Sequence, residues 1–188
     1  MPFLYIIGGP NGAGKTTAAF NLLPDTFETI EFVNADEIAR GLSPLNPESV
    51  SFHAGRRMIQ RFEELISSKR SFAFESTLSG TTYRTLLRKA QEYNYTIVLF
   101  FIYLNSADLA KERVSIRVKK GGHNIPGDVI YRRYLKGIKN FNLYSSMANS
   151  WYIYDNSGAG YVIIAKSIEG LKEIYNFEIY SKIVDDEK

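Results

Sequence analysis

Apolar positions along the chain alternate between short unbroken runs and longer stretches with helical spacing. Phe3 to Ile7 predicts a buried strand, and Ala18 to Leu23 predicts a helix after it. Pro24 and Asp25 predict a turn, and Thr29 to Val33 a second, β-branched strand ending in Asn34-Ala35-Asp36. From the Pro44–Pro47 loop to about Ser68, Val50, Ala54, Met58, Phe62, Leu65 and Ile66 recur as one helical stripe, with Arg56, Arg57 and Arg61 mostly off it. Ser71 to Glu75 predicts a third strand, Tyr83 to Tyr93 a helix with Leu86, Leu87 and Ala90 inward. Thr96 to Leu104 is so apolar that it predicts a central strand buried on both faces.

Asn105 to Asp108 then caps a helix to about Lys120. Gly121 to Pro126 breaks it, and a helix resumes from Asp128 to about Ser146. Trp151–Tyr154 and Tyr161–Ala165 predict two late strands around the turn Asp155-Asn156-Ser157-Gly158. Ile168 to about Ile179 predicts a last helix, and Asp185-Asp186-Glu187 a solvated acidic end. Strands alternating with helices imply an α/β fold, a mainly parallel central sheet flanked by helices in three layers. With 188 residues and neither linker nor repeat, one domain is expected over 1–188.

The turn after the first strand changes the picture most. Gly9-Pro10-Asn11-Gly12-Ala13-Gly14-Lys15-Thr16 fits G-x-x-x-x-G-K-[ST], the phosphate-binding loop of P-loop NTPases, and Thr17 follows it into the helix. Its glycines let backbone N–H groups wrap an anion at a helix N-terminus. Lys15 would reach the β- and γ-phosphates of ATP, and the Thr16 hydroxyl would ligate Mg²⁺. A dinucleotide reading fails, because Gly12-x-Gly14 is followed by Thr17 where a third glycine is needed.

Composition narrows the rest. The net charge of +3 is too small to imply nucleic acid, and the absence of cysteine excludes a disulfide framework. His53 and His123 stand far apart, which argues against a histidine metal site. No apolar run approaches a membrane span and no signal peptide precedes the first strand, so a cytoplasmic protein is expected. Asn94-Tyr95-Thr96 fits the glycosylation pattern and is read as chance.

In a parallel sheet functional residues gather at the carboxyl ends of the strands, where the phosphate loop, Asp36, Glu75 and Asn105 fall. Asp36 is the candidate to orient an acceptor hydroxyl and take its proton; the competing role is a helix N-cap. Glu75 is a candidate to hold Mg²⁺ through water or to bind the acceptor, with Thr77 and Ser79 as weaker candidates. Basic residues crowd between Lys111 and Lys139 against only Glu112 and Asp128. Two basic helices joined at Gly121-Gly122 suggest a lid over about 106–147. Arg113 and Arg117 share a helical face, and Arg117 and Arg132 are the candidates to neutralise the transferring phosphoryl group. Most lysines there are read as a solvated face. Asp155-x-x-Gly158 matches a GTPase switch but comes too late in the chain and lacks an N-K-x-D partner. Leu78-Ser79-Gly80 matches the start of an ABC signature without the strand that should follow.

Taken together, GGPNGAGKTT, Asn34-Ala35-Asp36, Ala54-Gly55-Arg56, Phe74-Glu75-Ser76-Thr77, Arg117 with Gly121-Gly122-His123, Arg132-Arg133 and Tyr154-Asp155-Asn156-Ser157 resemble the zeta-toxin-like P-loop kinases. The resemblance spans about Phe3 to Ala165. It implies a kinase acting on a small molecule, which in the family's characterised toxins is a UDP-linked N-acetyl amino sugar phosphorylated on a sugar hydroxyl. It also implies that Lys15 binds phosphate, Asp36 is the general base, Glu75 and Thr77 hold acceptor or metal, and lid arginines contact phosphates, with Arg113 or Arg133 as alternatives. An antitoxin partner is a further implication. The chain is short and carries no match to those toxins' sugar-binding loop. The rival readings are a nucleotide-binding regulator with slow ATPase activity, which needs no base at Asp36, and a nucleic-acid end kinase. The scarcity of basic residues outside the lid argues against the latter.

Overall fold

A computed structural model describes residues 1–26, 31–122 and 124–184, with backbone alone for 22–26. His123, Thr29, Ile30 and the acidic end expected at Asp185–Glu187 lie outside the described residues. Among those described, seven strands form one sheet in the order β2-β3-β1-β4-β5-β6-β7. These are β1 (Phe3–Gly8), β2 (Phe32–Val33), β3 (Phe72–Ser76), β4 (Thr96–Tyr103), β5 (Ser150–Asp155), β6 (Val162–Ile168) and β7 (Leu171–Ile174). The first five are mutually parallel, and β6 and β7 add an antiparallel edge. The helices are α1 (Lys15–Thr26), α2 (Ala35–Leu42), α3 (Ser51–Ser67), α4 (Tyr83–Glu92), α5 (Ala107–Lys119), α6 (Gly127–Lys139), α7 (Phe141–Ser145) and α8 (Phe177–Val184).

Alternation along the strands builds two cores. Leu4, Ile6, Phe72, Phe74, Leu99, Phe101 and Ile153 face the layer of α3 to α8, while Tyr5, Ile7, Ala73, Val98 and Phe100 face Ala19 of α1. The stripe read on α3 is the buried one, from Ala54 to Ile66, and Leu86, Leu87 and Ala90 bury α4. Ala107, Ala110 and Val114 of α5 and Ile130, Tyr134 and Ile138 of α6 also reach this core. The segment expected as a lid is therefore anchored through both helices, and Lys119, Lys120, Arg132, Lys136 and Lys139 occupy its exposed faces. Among the described residues no helix is long and apolar enough to cross a membrane.

Three expectations need correction. The last helix does not begin at Ile168: β6 ends there, and Glu169 and Gly170, at φ of 51° and 88°, turn the chain back into β7. Both central residues of such a tight hairpin need positive φ, which glycine supplies at no steric cost. Pro24 and Asp25 do not form a turn but lie within α1 (Lys15–Thr26), the missing proline N–H forfeiting one helical hydrogen bond. The helix read from Asp128 to Ser146 is interrupted at Asn140, whose side-chain amide donates to the Leu78 carbonyl at 2.7 Å.

This topology positions the site. The strand order makes β1 the middle of the parallel set, with β3 on one side and β4 on the other. The crevice beyond its carboxyl end is where open α/β sheets bind ligands.

Candidate active site

The glycine loop leaves β1 at Gly8 and enters α1 at Lys15. Gly9 has φ of 137°, and a Cβ there would lie 2.1 Å from the Ile102 carbonyl oxygen of β4, so only glycine fits. Lys15 is 5% exposed; its ammonium donates to the Pro10 carbonyl at 2.9 Å and lies 3.5 Å from Glu75 Oε1. A buried ammonium needs such partners. Glu75 Oε2 also accepts from Thr16 Oγ1 at 2.6 Å and from Asn34 Nδ2 at 2.9 Å. The carboxylate at the end of β3 thus gathers the loop lysine, the loop threonine and the start of α2.

Asn34 decides the competing role for Asp36. Its Oδ1 accepts from the backbone N–H of Asp36 at 2.8 Å and of Glu37 at 3.4 Å, so Asn34 is the N-cap of α2. The Asp36 carboxylate, exposed in the first turn of the helix, is not the cap. Asn34 is itself 7% exposed, and in the sequence it stands out only within Asn34-Ala35-Asp36, with no role of its own. The preference for asparagine at a cap was the signal available. Asn34→Ala removes the cap and a Glu75 donor together, which should lower stability by about 2 kcal/mol and the melting temperature by about 4–8 °C. Asn34→Ser retains a capping oxygen and should recover about half of that, and unchanged melting of Asn34→Ala would contradict this role.

Lys15, Asp36 and Glu75 line a single cleft of about 480 Å³, whose other walls include Arg56 of α3, Tyr83 of α4 and Arg133 of α6. Thr77 and Ser79 also line it, with their hydroxyls 2.9 Å apart. At the mouth Phe52 is 68% exposed, and the Arg56 guanidinium stacks 4.5 Å from its ring centroid. Burial raises the Tyr83 phenol's pKa, with a hydrogen bond from Ser76 opposing it, so Tyr83 stays neutral. The cleft joins a lysine and two arginines to an acidic wall. Asn11 and Lys15 of the P-loop line it, and its volume is that of a small-molecule site.

The structure sorts the arginine candidates. Arg132 is exposed and lies outside the cleft lining, whereas its neighbour Arg133 reaches it. Buried Ile130, Tyr134 and Ile138 fix the rotation of α6, and one residue along a helix is about 100° of turn. Arg117 is not a lining residue; its stem lies against Gly122, whose N–H donates to the Arg117 carbonyl at 2.9 Å. Arg113 packs beside Gly12 of the P-loop and is not among the cleft-lining residues. Asn105 is exposed and takes no part in the cleft.

A parallel sheet with this loop after its first strand, and Lys-Thr opening the next helix, defines the P-loop NTPase fold. Residues 1–162 match the family described as Zeta toxin, and the chain belongs to the zeta toxin family. An uncharacterized protein of Haemophilus influenzae is 35% identical over 127 residues, 67% of this chain and 88% of its own. Among solved structures, the AvrRxo1-ORF1:-ORF2 complex with ATP contains a chain with a TM-score of 0.75 and 19% identity. The alignment covers 97% of this chain and 63% of that one, so this chain spans less than two thirds of its length. A chain of the PezAT chromosomal toxin–antitoxin system of Streptococcus pneumoniae gives a TM-score of 0.72 at 17% identity, covering 100% of this chain and 80% of that one. At these identities the two solved structures establish the shared fold.

Proposed function

We propose that the protein is an ATP-dependent kinase that transfers the γ-phosphoryl group to a hydroxyl of a small molecule seated in the cleft. One observation carries the reading: the P-loop Lys15 and the uncapped carboxylate of Asp36 line the same cleft. Phosphoryl transfer needs little covalent chemistry from the protein beyond positioning, charge neutralisation and a group that orients the nucleophile. Lys15 and the loop N–H groups hold the phosphates. Asp36 takes the acceptor's proton as its oxygen bonds to phosphorus and the bond to ADP breaks. Arg133 neutralises charge on the group in transit.

The Thr16 hydroxyl and Glu75 carboxylate are adjacent hard oxygens, the donor type that suits Mg²⁺. They would hold it, Glu75 through water, and the ion would neutralise charge on the bound phosphates. Family membership and the two lining arginines, Arg56 and Arg133, make a UDP-N-acetyl amino sugar the first acceptor to try, since its diphosphate suits arginine forks. A kinase using ATP belongs in the cytoplasm. The PezAT comparison supports an antitoxin as protein partner.

Lys15→Ala should lose binding of Mg·ATP while the far-UV circular dichroism stays that of the parent, with Lys15→Met as a volume-filling control. Parent-like ATP affinity in either folded variant would remove the assignment.

A further inference from the structure

A phosphate-binding loop works only with its N–H groups turned inward. Each peptide plane that points an N–H inward points a carbonyl outward. The Ala13 carbonyl shares a plane with the Gly14 N–H, and the Gly14 carbonyl with the Lys15 N–H. The Ala13 carbonyl accepts from Asn156 Nδ2 at 2.8 Å, and the Gly14 carbonyl, which opens the α1 ladder by accepting from Ala18 N–H at 2.9 Å, takes a second bond from Tyr161 Oη at 2.8 Å. We propose that Asn156 and Tyr161 are positioning residues for the nucleotide, locking two P-loop peptide planes so that the Gly14 and Lys15 N–H groups face phosphate. This rests on the kinase reading of the P-loop and adds the connection between β5 and β6 to the machinery.

The brace matters because the loop is rich in glycine, whose neighbouring planes rotate at little steric cost. Its own support is firm. Asn156 N–H donates to the Tyr103 carbonyl at the end of β4 at 3.1 Å. The Ser157 hydroxyl accepts from Asn105 N–H at 2.8 Å, and Arg113 Nη2 reaches the Ser157 carbonyl at 3.3 Å. Asp155 Oδ1 accepts from Ser157 N–H at 2.9 Å and from its hydroxyl, an Asx turn that accounts for the Asp155-x-x-Gly158 pattern. Burial raises the Tyr161 phenol's pKa, with Arg113 opposing, so it remains a neutral donor.

Asn156→Ala and the near-isosteric Tyr161→Phe, titrated with a fluorescent ATP analogue and Mg²⁺ beside Lys15→Ala, test this. Asn156→Ala should raise the dissociation constant about five- to tenfold, the loss of roughly one hydrogen bond, and Tyr161→Phe about two- to threefold, because its bond is exposed and Ala18 N–H still holds the Gly14 carbonyl. In ATP turnover KM should rise with kcat within about twofold of the parent. Amide exchange over residues 12–17 should quicken while the rest of the chain exchanges as before. A lowered melting temperature with unchanged ATP affinity would make these residues structural only and overturn the proposal. Retained ATP binding in Lys15→Ala would instead fell the nucleotide reading, and the positioning role with it.

Discussion

Asp36→Asn is expected to bind ATP like the parent protein and to transfer phosphate at least about 100-fold more slowly. The structure makes this a clean substitution. The Asp36 side chain is exposed, and its backbone N–H is held by Asn34 Oδ1 at 2.8 Å whatever the side chain is. Losing a carboxylate from the first turn of α2 costs at most about 1 kcal/mol of stability, too little to unfold an ordinary domain. A large rate loss therefore cannot come from the fold. Asparagine keeps the shape and can still accept a hydrogen bond, but it cannot take up the hydroxyl proton. Transfer at the parent rate would remove the base. A loss of ATP affinity, partly repaired by raised Mg²⁺, would place the carboxylate with the metal instead.

Arg133→Ala should slow transfer by a factor on the order of 1000, while Arg132→Ala stays within about threefold of the parent. The contrast follows from position: Arg133 lines the cleft and Arg132 faces solvent one residue away. Arg133→Lys keeps the charge and loses the fork, so an intermediate rate is expected. The measurement is a single-turnover rate at saturating ATP, which separates chemistry from binding. Equal, small losses at both positions would return the whole basic segment to a solvated face.

The parallel core was legible because its strands are buried on both faces. β1 and β4 read as unbroken apolar runs, and α3 and α4 carry one apolar stripe each. The loop from Gly9 to Thr16 was legible because its chemistry lies in consecutive residues. β7 was not, since all four of its residues are exposed and neither period marks it. A turn built on Glu169 and Gly170 is equally quiet in sequence. Glu75 and Asp36 are marked in the sequence by strand ends and Lys15 by the glycine loop, and the fold brings the three to one cleft. Choosing between Arg132 and Arg133 needed the rotation of α6. The α2 cap at Asn34 and the Asn156 and Tyr161 contacts depend on side-chain pairing that only the folded chain displays, across as many as 147 positions in the last case.

The most direct test follows the terminal phosphate. The protein is incubated with γ-labelled ATP, Mg²⁺ and either a UDP-N-acetyl amino sugar or a metabolite extract, with Lys15→Ala in parallel, and labelled species are resolved by mass. The kinase reading predicts ADP together with a new phosphorylated small molecule, absent with Lys15→Ala. Label recovered only as inorganic phosphate, or ATP left intact beside every acceptor offered, would contradict it and favour a nucleotide-binding regulator.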